Sequence, residues 1–363
     1  MRLSGRLPDF PWNTIAADRQ RAQEHPGGLV DLSVGTPVDP TPAFVQFAAR
    51  SAGDSPGYPQ VWGTPEVRAA IVGYLVRRWN SPQLNERRVM PVVGTKELVA
   101  LLPTLLGLGP QDTVVIPRTA YPTYRVGAEL VGARVVASDD PAELGGLSPS
   151  LIWINSPANP HGATFDRDGV RRWIDFARRQ NSLLASDECY GEFGWDVAPV
   201  SVLDREVSEG ETAGVLAVHS LSKRSNMAGY RAGFVAGDIN VVTELIAVRK
   251  HLGLMVPTPV QAAMVAALAD QGHVEEQRAR YLARRTVLAA ALEAAGFRID
   301  ASEGSLYLWA TRAEPCRRTV AFLAERGILT APGDFYGDPT HVRVALTATD
   351  ERVAAAAERL VAG

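Results

Sequence analysis

Apolar positions fall into two patterns along this chain. From residue 89 onward, short runs rich in Val, Ile and Leu recur at Val89 to Val93, Thr113 to Ile116, Arg134 to Ala137, Leu151 to Asn155, Leu183 to Ser186, Gly214 to His219 and Ala232 to Ala236. Runs of this length, bounded by turn residues, read as strands buried on both faces. Between them the apolar residues return at helical spacing. Val67, Ala70, Ile71, Tyr74 and Leu75 follow Thr64 as N-cap and Pro65 at the first helical position, and Val170, Trp173, Ile174 and Ala177 mark another helix. Strands alternating with helices predict an α/β fold with a mostly parallel seven-stranded sheet covered on both faces.

Around Pro257 and Pro259 the pattern changes to a long arginine-rich helical stretch reaching about Ala295. Strands are then expected at Phe297 to Asp300, Leu306 to Ala310 and Val342 to Leu346, with helices near Thr319 to Glu325 and Glu351 to Val361. This is the pattern of a smaller α+β unit. No internal repeat interrupts it.

At 363 residues, 46% hydrophobic and 21% charged, the chain can bury a sizeable core, and disorder is excluded. Its formal net charge of −3 offers no attraction to a polyphosphate backbone, so nucleic acid is not an expected partner. Cys189 and Cys316 stand far apart without metal-ligand spacing, which points to two reduced structural thiols and to no metal site. The N-terminal stretch lacks a signal peptide's apolar core and no run reaches membrane-spanning length, so a cytoplasmic protein is expected.

Three of the expected strands end in small or polar residues, in I-N-S-P-A-N-P, S-D-E-C-Y and H-S-L-S-K. Ligands of open α/β sheets bind beyond the carboxyl ends of strands, so chemistry is expected there. The last run continues as Ser220-Leu221-Ser222-Lys223, with Arg231 eight residues later, and lysine is scarce: only Lys96, Lys223 and Lys250 occur among 37 basic residues. Ser220-x-x-Lys223 also satisfies the S-x-x-K of serine acyl-transfer enzymes, but the companion S-D-N and K-T-G are missing. A lysine flanked by hydroxyls and followed by an arginine suits pyridoxal phosphate instead, with a Schiff base at the lysine and the phosphate on the hydroxyls and arginine.

S-L-S-K-x(5)-G-Y-R-x-G resembles the cofactor-lysine signature of class I/II aminotransferases of fold type I, and similarity extends over about residues 30 to 350. The resemblance implies pyridoxal 5'-phosphate bound at Lys223, with Ser220, Ser222 and Arg231 at its phosphate. Gly94-Thr95-Lys96 lies between a strand and a helix, where the family places the phosphate, implying contacts from Thr95 and the Lys96 amide. Asn155-x-Pro157-x-Asn159-Pro160-x-Gly162 resembles the loop whose second asparagine, here Asn159, meets the cofactor's phenolic oxygen; His161 departs from the usual threonine. In Asp187-Glu188-Cys189-Tyr190, the resemblance gives Asp187 the pyridinium nitrogen and Tyr190 the phenolic oxygen, and leaves Glu188 a structural part. Tyr121 would stack on the pyridine face.

The resemblance further implies that Tyr58 reaches the phosphate of a neighbouring subunit's cofactor, making a homodimer with shared active sites. By the same resemblance Gly35 would belong to a turn closing over the substrate, and Arg343, which interrupts an apolar strand, would fork the substrate α-carboxylate with help from Asn159. A large cofactor-binding domain is expected over residues 42–255, and a small domain from 1–41 plus 256–363. The implied reaction is ping-pong amino transfer between small-molecule amino and 2-oxo acids, with Lys223 moving the proton.

Within the family, the S-L-S-K-R-S-N-M-A-G-Y-R-A-G-F, G-T-K-E-L-V-A-L-L-P-T and E-G-S-L-Y-L-W-A segments most resemble N-succinyldiaminopimelate aminotransferases of lysine biosynthesis. Charge and spacing select no substrate, so aspartate, aromatic or broad-specificity aminotransferases stay open, as does a β-lyase on the same fold. A cofactor-sensing regulator is disfavoured, because the cofactor domain begins by about residue 42 and leaves no room for a DNA-binding module.

Overall fold

The computed structural model describes residues 11–362; residues 1–10 of the expected N-terminal arm lie outside the described residues. The short strand β1 is Val30–Asp31, and the large sheet consists of β2 Val89–Val93, β3 Thr113–Ile116, β4 Arg134–Ala137, β5 Leu151–Asn155, β6 Leu183–Asp187, β7 Val215–Ser220 and β8 Ala232–Gly237. Its spatial order is β2-β8-β7-β6-β5-β3-β4. Within this sheet β8 runs against both of its neighbours, and the remaining pairings from β7 to β4 are parallel.

The two-residue period of the strands sorts their side chains between two apolar layers. Ile152, Ile154, Val215 and Ala217 enter one core with Ile71, Tyr74 and Leu75 of helix Pro65–Trp79 and with Trp173 and Ile174 of helix Arg167–Gln180. Leu151, Trp153, Leu216 and Val218 enter the other with Leu98, Val99 and Leu102 of helix Thr95–Leu105. Both faces are buried, which is why these strands read as unbroken apolar runs. Helix Pro65–Trp79 starts as its sequence predicts: Thr64 Oγ1 accepts from Val67 N at 3.3 Å and Pro65 occupies the first turn.

The expected arginine-rich stretch is two helices, Thr258–Ala269 and Gly272–Ala294. The Asp270 carboxylate divides them, accepting the His273 N–H at 2.9 Å in the first turn of the second. Ala263, Met264, Ala267 and Leu268 of the first helix pack in the core under the large sheet.

A separate antiparallel sheet is built from β9 Arg298–Ala301, β10 Tyr307–Thr311, β12 Ala331–Pro332 and β13 Val342–Ala345, in the order β12-β13-β10-β9. Strand β11, Ile328–Leu329, instead pairs in parallel with β1, which ties the N-terminal segment to the C-terminal third. Tyr281, Leu288 and Leu292 of helix Gly272–Ala294 cover this sheet together with Val353, Ala356 and Leu360 of helix Asp350–Val361.

Candidate active site

Asn155, Asp187 and Ser220 are the last residues of β5, β6 and β7, so three polar side chains leave adjacent strands at one end of the large sheet. Beyond them opens a cavity of about 510 Å³. Gly35, Thr95, Lys96, Tyr121, Asn159, Asp187, Tyr190, Ser220, Ser222, Lys223, Arg231 and Arg343 all line it. Tyr58 does not; it stands on the surface, 95% exposed.

One end of the cavity is an anion cradle. Gly94, with φ +73°, precedes helix Thr95–Leu105, and a Cβ there would lie 2.2 Å from Arg231 Nη2. The bare α-carbon lets the guanidinium rest on the turn, while Arg231 Nη1 donates to Ala228 O at 2.9 Å. The helix's first N–H groups and the Thr95, Ser220 and Ser222 hydroxyls surround the same space.

Ser220 Oγ also accepts from Ser222 N at 3.1 Å, capping the single turn Leu221–Arg224 that carries Lys223 into the cavity. Burial lowers the Lys223 amine from 10.5 to about 8; Cys189 opposes the shift, and the Arg343 and Arg231 cations add to it. A neutral amine is therefore well populated near pH 8.

Asp187 lies deeper. Its Oδ2 accepts from Tyr124 Oη at 2.7 Å and its Oδ1 from Cys189 N at 3.1 Å. Burial pushes its carboxyl above the ordinary range, against the lowering effect of hydrogen bonds from Cys189 and Tyr124 and of nearby His219. Asn155 holds two motifs together: its Oδ1 accepts from Asn159 N at 2.7 Å and its Nδ2 donates to Asp187 O at 2.8 Å. Glu188 turns away from the cavity, its Oε1 accepting Val202 N at 2.9 Å and its Oε2 lying 3.1 Å from His219 Nε2.

At the far end Arg343, 2% exposed, donates from Nη1 to Asn159 Oδ1 at 2.8 Å and from Nη2 to Ser33 O at 2.6 Å. Its guanidinium lies 4.2 Å from the Tyr307 ring centroid and 5.0 Å from that of Tyr336. Gly35 sits where a Cβ would fall 2.1 Å from the Tyr307 hydroxyl, so close approach of backbone to this tyrosine is the physical reason for glycine.

Tyr124, Tyr307 and Asn155 stand out in the structure though sequence reasoning gave them no part. Asn155 and Tyr307 lie inside segments singled out for other reasons, and Tyr124 stands three residues after Tyr121. Tyr124 is 63 positions from Asp187 and Tyr307 is 117 from Tyr190, so nothing local announces either contact.

The profile of class I and II aminotransferases matches residues 28–360. The chain belongs to the class I and II aminotransferase family. It is 57% identical over 360 residues to a probable aminotransferase of Mycobacterium tuberculosis, covering 99% of this chain and 86% of that one. It is 53% identical over 356 residues to the 4-dedimethylamino-4-oxo-anhydrotetracycline transaminase of Streptomyces rimosus, covering 98% and 99%. An aminotransferase structure from Staphylococcus aureus superposes with a TM-score of 0.89 at 26% identity, covering 99% and 97%. More distant is the LL-diaminopimelate aminotransferase of Aquifex aeolicus, 31% identical over 379 residues and covering 98% and 96%.

This aminotransferase is accordingly a pyridoxal 5'-phosphate enzyme acting on amino and oxo acids. The cavity fits that cofactor on three grounds. The Gly94–Arg231 turn is a dianion cradle that a side chain at residue 94 would fill. The Asp187 carboxyl, raised by burial, is where a pyridinium would restore the charged form. The lowered Lys223 amine suits bonding to an aldehyde. Among the described residues, no helix is long and apolar enough to cross a membrane.

Proposed function

We propose that this aminotransferase exchanges the amino group between N-succinyl-LL-2,6-diaminopimelate and 2-oxoglutarate, using Lys223 as its catalytic amine. The observation that carries the reading is the resemblance of the segments at Lys223, Thr95 and Tyr307 to N-succinyldiaminopimelate aminotransferases. The cations among the described lining residues are Lys96, Lys223, Arg231 and Arg343. Lys223 is assigned to the cofactor aldehyde, Arg231 to the phosphate and Arg343 to the α-carboxylate. Both proposed substrates present a second, distal carboxylate, and Lys96 is a further cation on the lining. It stands on the cavity wall with Nζ 5.9 Å from the Tyr121 ring centroid.

The cofactor supplies an electron sink for the pair released at the substrate α-carbon. Asp187 holds the pyridine nitrogen protonated, kept in place by Tyr124 and the Cys189 N–H. Tyr121 covers the ring. Asn159 and Tyr190 donate to the phenolic oxygen, and Thr95, the Lys96 amide, Ser220, Ser222 and Arg231 neutralise the phosphate. Arg343 and Asn159 orient the α-carboxylate under the turn at Gly35. Lys223 Nζ would hold the cofactor aldehyde at rest and, once released by an incoming amine, would carry the proton to and from the substrate α-carbon.

The homodimer belongs to the same proposal, with Tyr58 serving the partner's phosphate. The exposure of Phe44, Phe47 and Tyr58 supports an apolar face of this kind. The same proposal divides the chain into a cofactor unit over 42–255 and a smaller one from 1–41 plus 256–363, although helix Thr258–Ala269 packs in the core under the large sheet. Free thiols at Cys189 and Cys316 suit a cytoplasmic setting.

The similarity to the Streptomyces rimosus transaminase favours a second reading, in which a ring ketone is the acceptor. Comparing kcat/KM for a panel of amino donors with 2-oxoglutarate fixed tests the first reading, and replacing 2-oxoglutarate by a cyclic ketone as acceptor separates it from the second. Succinyldiaminopimelate is expected to lead. An advantage of about tenfold for aspartate, alanine or an aromatic amino acid, roughly 1.4 kcal/mol of transition-state preference, overturns the substrate and leaves the aminotransferase intact.

A further inference from the structure

The Tyr190 and Tyr307 hydroxyls lie 2.7 Å apart, both buried, and their rings meet edge to face with centroids at 5.5 Å. A hydroxyl pair holds two protons and only one can lie between the oxygens, so the other must be directed elsewhere. Tyr307 is the residue on which the Arg343 guanidinium rests. Burial holds Tyr307 protonated, with Tyr121 and Cys189 adding to it, while Arg343 and the hydrogen bond with Tyr190 favour the phenolate; a cation over a phenol ring makes its O–H the better donor. Tyr281 and Tyr336 are the other titratable groups turned toward Tyr307 or Arg343, and burial holds both protonated. The Tyr307 proton therefore goes to the Tyr190 oxygen, which sends the Tyr190 proton into the cavity.

We propose that Tyr307 is a positioning residue of the active site, whose hydroxyl polarises Tyr190 toward the cofactor's phenolic oxygen and passes on to it the charge state of Arg343. This inference rests on the reading that Tyr190 donates to that oxygen. A donated hydrogen bond strengthens when its donor oxygen also accepts one. Tyr190 stabilises negative charge on the phenolic oxygen most when the nitrogen bonded to the aldehyde carbon has lost its proton, and so lowers that nitrogen's proton affinity. Removing the Tyr307 hydroxyl weakens this effect. Neutralising Arg343 with a carboxylate weakens it in the same direction, because Tyr307 becomes the poorer donor. Substrate binding at one end of the cavity would thus raise the proton affinity of the lysine-linked nitrogen at the other, where Arg343, Arg231 and Cys189 are the charged or titratable groups acting on Lys223.

The test is a spectroscopic pH titration of the holoenzyme, reading the midpoint at which the visible band of the bound cofactor changes. Retention of that band also reports an intact site in each variant. Tyr190→Phe is expected to raise the midpoint by about one unit, and Tyr307→Phe by roughly half a unit. Tyr307→Phe added to Tyr190→Phe should shift nothing more. Maleate, a dicarboxylate that cannot donate an amine, should raise the wild-type midpoint more than that of Tyr307→Phe. A shift for Tyr190→Phe with none for Tyr307→Phe overturns the inference alone. A downward shift for Tyr307→Phe overturns it too, since Tyr190 would then have been donating to Tyr307. No shift in either variant overturns the assignment of Tyr190 to the phenolic oxygen, and this inference with it.

Discussion

Tyr124 reaches across from the start of helix Thr123–Leu130 to donate a 2.7 Å hydrogen bond to Asp187 Oδ2. Burial and the neighbouring carboxylate hold its hydroxyl pKa far above the ordinary value, so it donates at every working pH. Both groups are buried. Tyr124→Phe removes one of the donors to the Asp187 carboxylate. The loss should be about 1.5 kcal/mol, near a tenfold fall in kcat/KM, with weaker cofactor retention. Cofactor dissociation measured alongside steady-state rates checks this, and unchanged values for both would remove Tyr124 from the account of Asp187.

Gly94 has φ +73° and ψ 149°, a conformation that residues with a side chain adopt only at a cost of about 1–3 kcal/mol. Its Cβ would also displace the Arg231 guanidinium from the cradle. Gly94→Ala is therefore expected to loosen the cofactor by tenfold or more, with little change in overall fold. Equilibrium dialysis against pyridoxal phosphate, with circular dichroism as the control, measures it. Wild-type affinity would show that Arg231 does not need this turn.

The large sheet is legible because its strands are buried on both faces: of the seven apolar runs, four have the ends of the observed strands and three differ by one residue. Asp187 illustrates the value of the last residue: the strand reading stopped at Ser186, yet β6 continues to Asp187 and fixes that carboxylate by backbone pairing with Asn155. The two-residue strands β1, β11 and β12 carry no periodicity, so the join of the N-terminal segment to the C-terminal third was not readable. The break at Asp270 was lost because helical spacing resumes within two residues. Most lining residues were found through motifs, which record chemistry at fixed spacing. Tyr124 and Tyr307 act through side chains distant in sequence, and only the folded chain brings those partners together.

The depressed Lys223 amine predicts how apoenzyme takes up cofactor. The neutral form attacks the aldehyde, and its fraction rises with pH around a midpoint of about 8, well below the 10.5 of a free lysine. The rate of band formation after mixing apoenzyme with pyridoxal phosphate should climb through that midpoint and level off above it. Borohydride reduction followed by peptide mapping should then locate the adduct at Lys223. A rate still climbing steeply at pH 10 contradicts the buried, lowered amine, and label at Lys96 or Lys250 moves the chemistry to another residue.

Tyr58 is the one expected site residue that this chain does not bring to its own cavity, and its 95% exposure leaves the phenol available to another molecule. If two chains share their sites, a lesion in Tyr58 and a lesion in Lys223 damage the same site when carried on different protomers. Mixing Tyr58→Phe protein with Lys223→Ala protein then tests the arrangement. In the mixed dimer both lesions fall in the site built around the altered Lys223, because the faulty Tyr58 belongs to the protomer opposite it. The other site keeps an intact lysine and an intact tyrosine. Activity at limiting cofactor, where loss of a phosphate contact is felt most, should therefore rise above the average of the two unmixed variants once subunits have exchanged. A mixture that stays at that average, with exchange shown by differently tagged chains, means that each chain completes its own site and that Tyr58 has no part in phosphate binding across an interface.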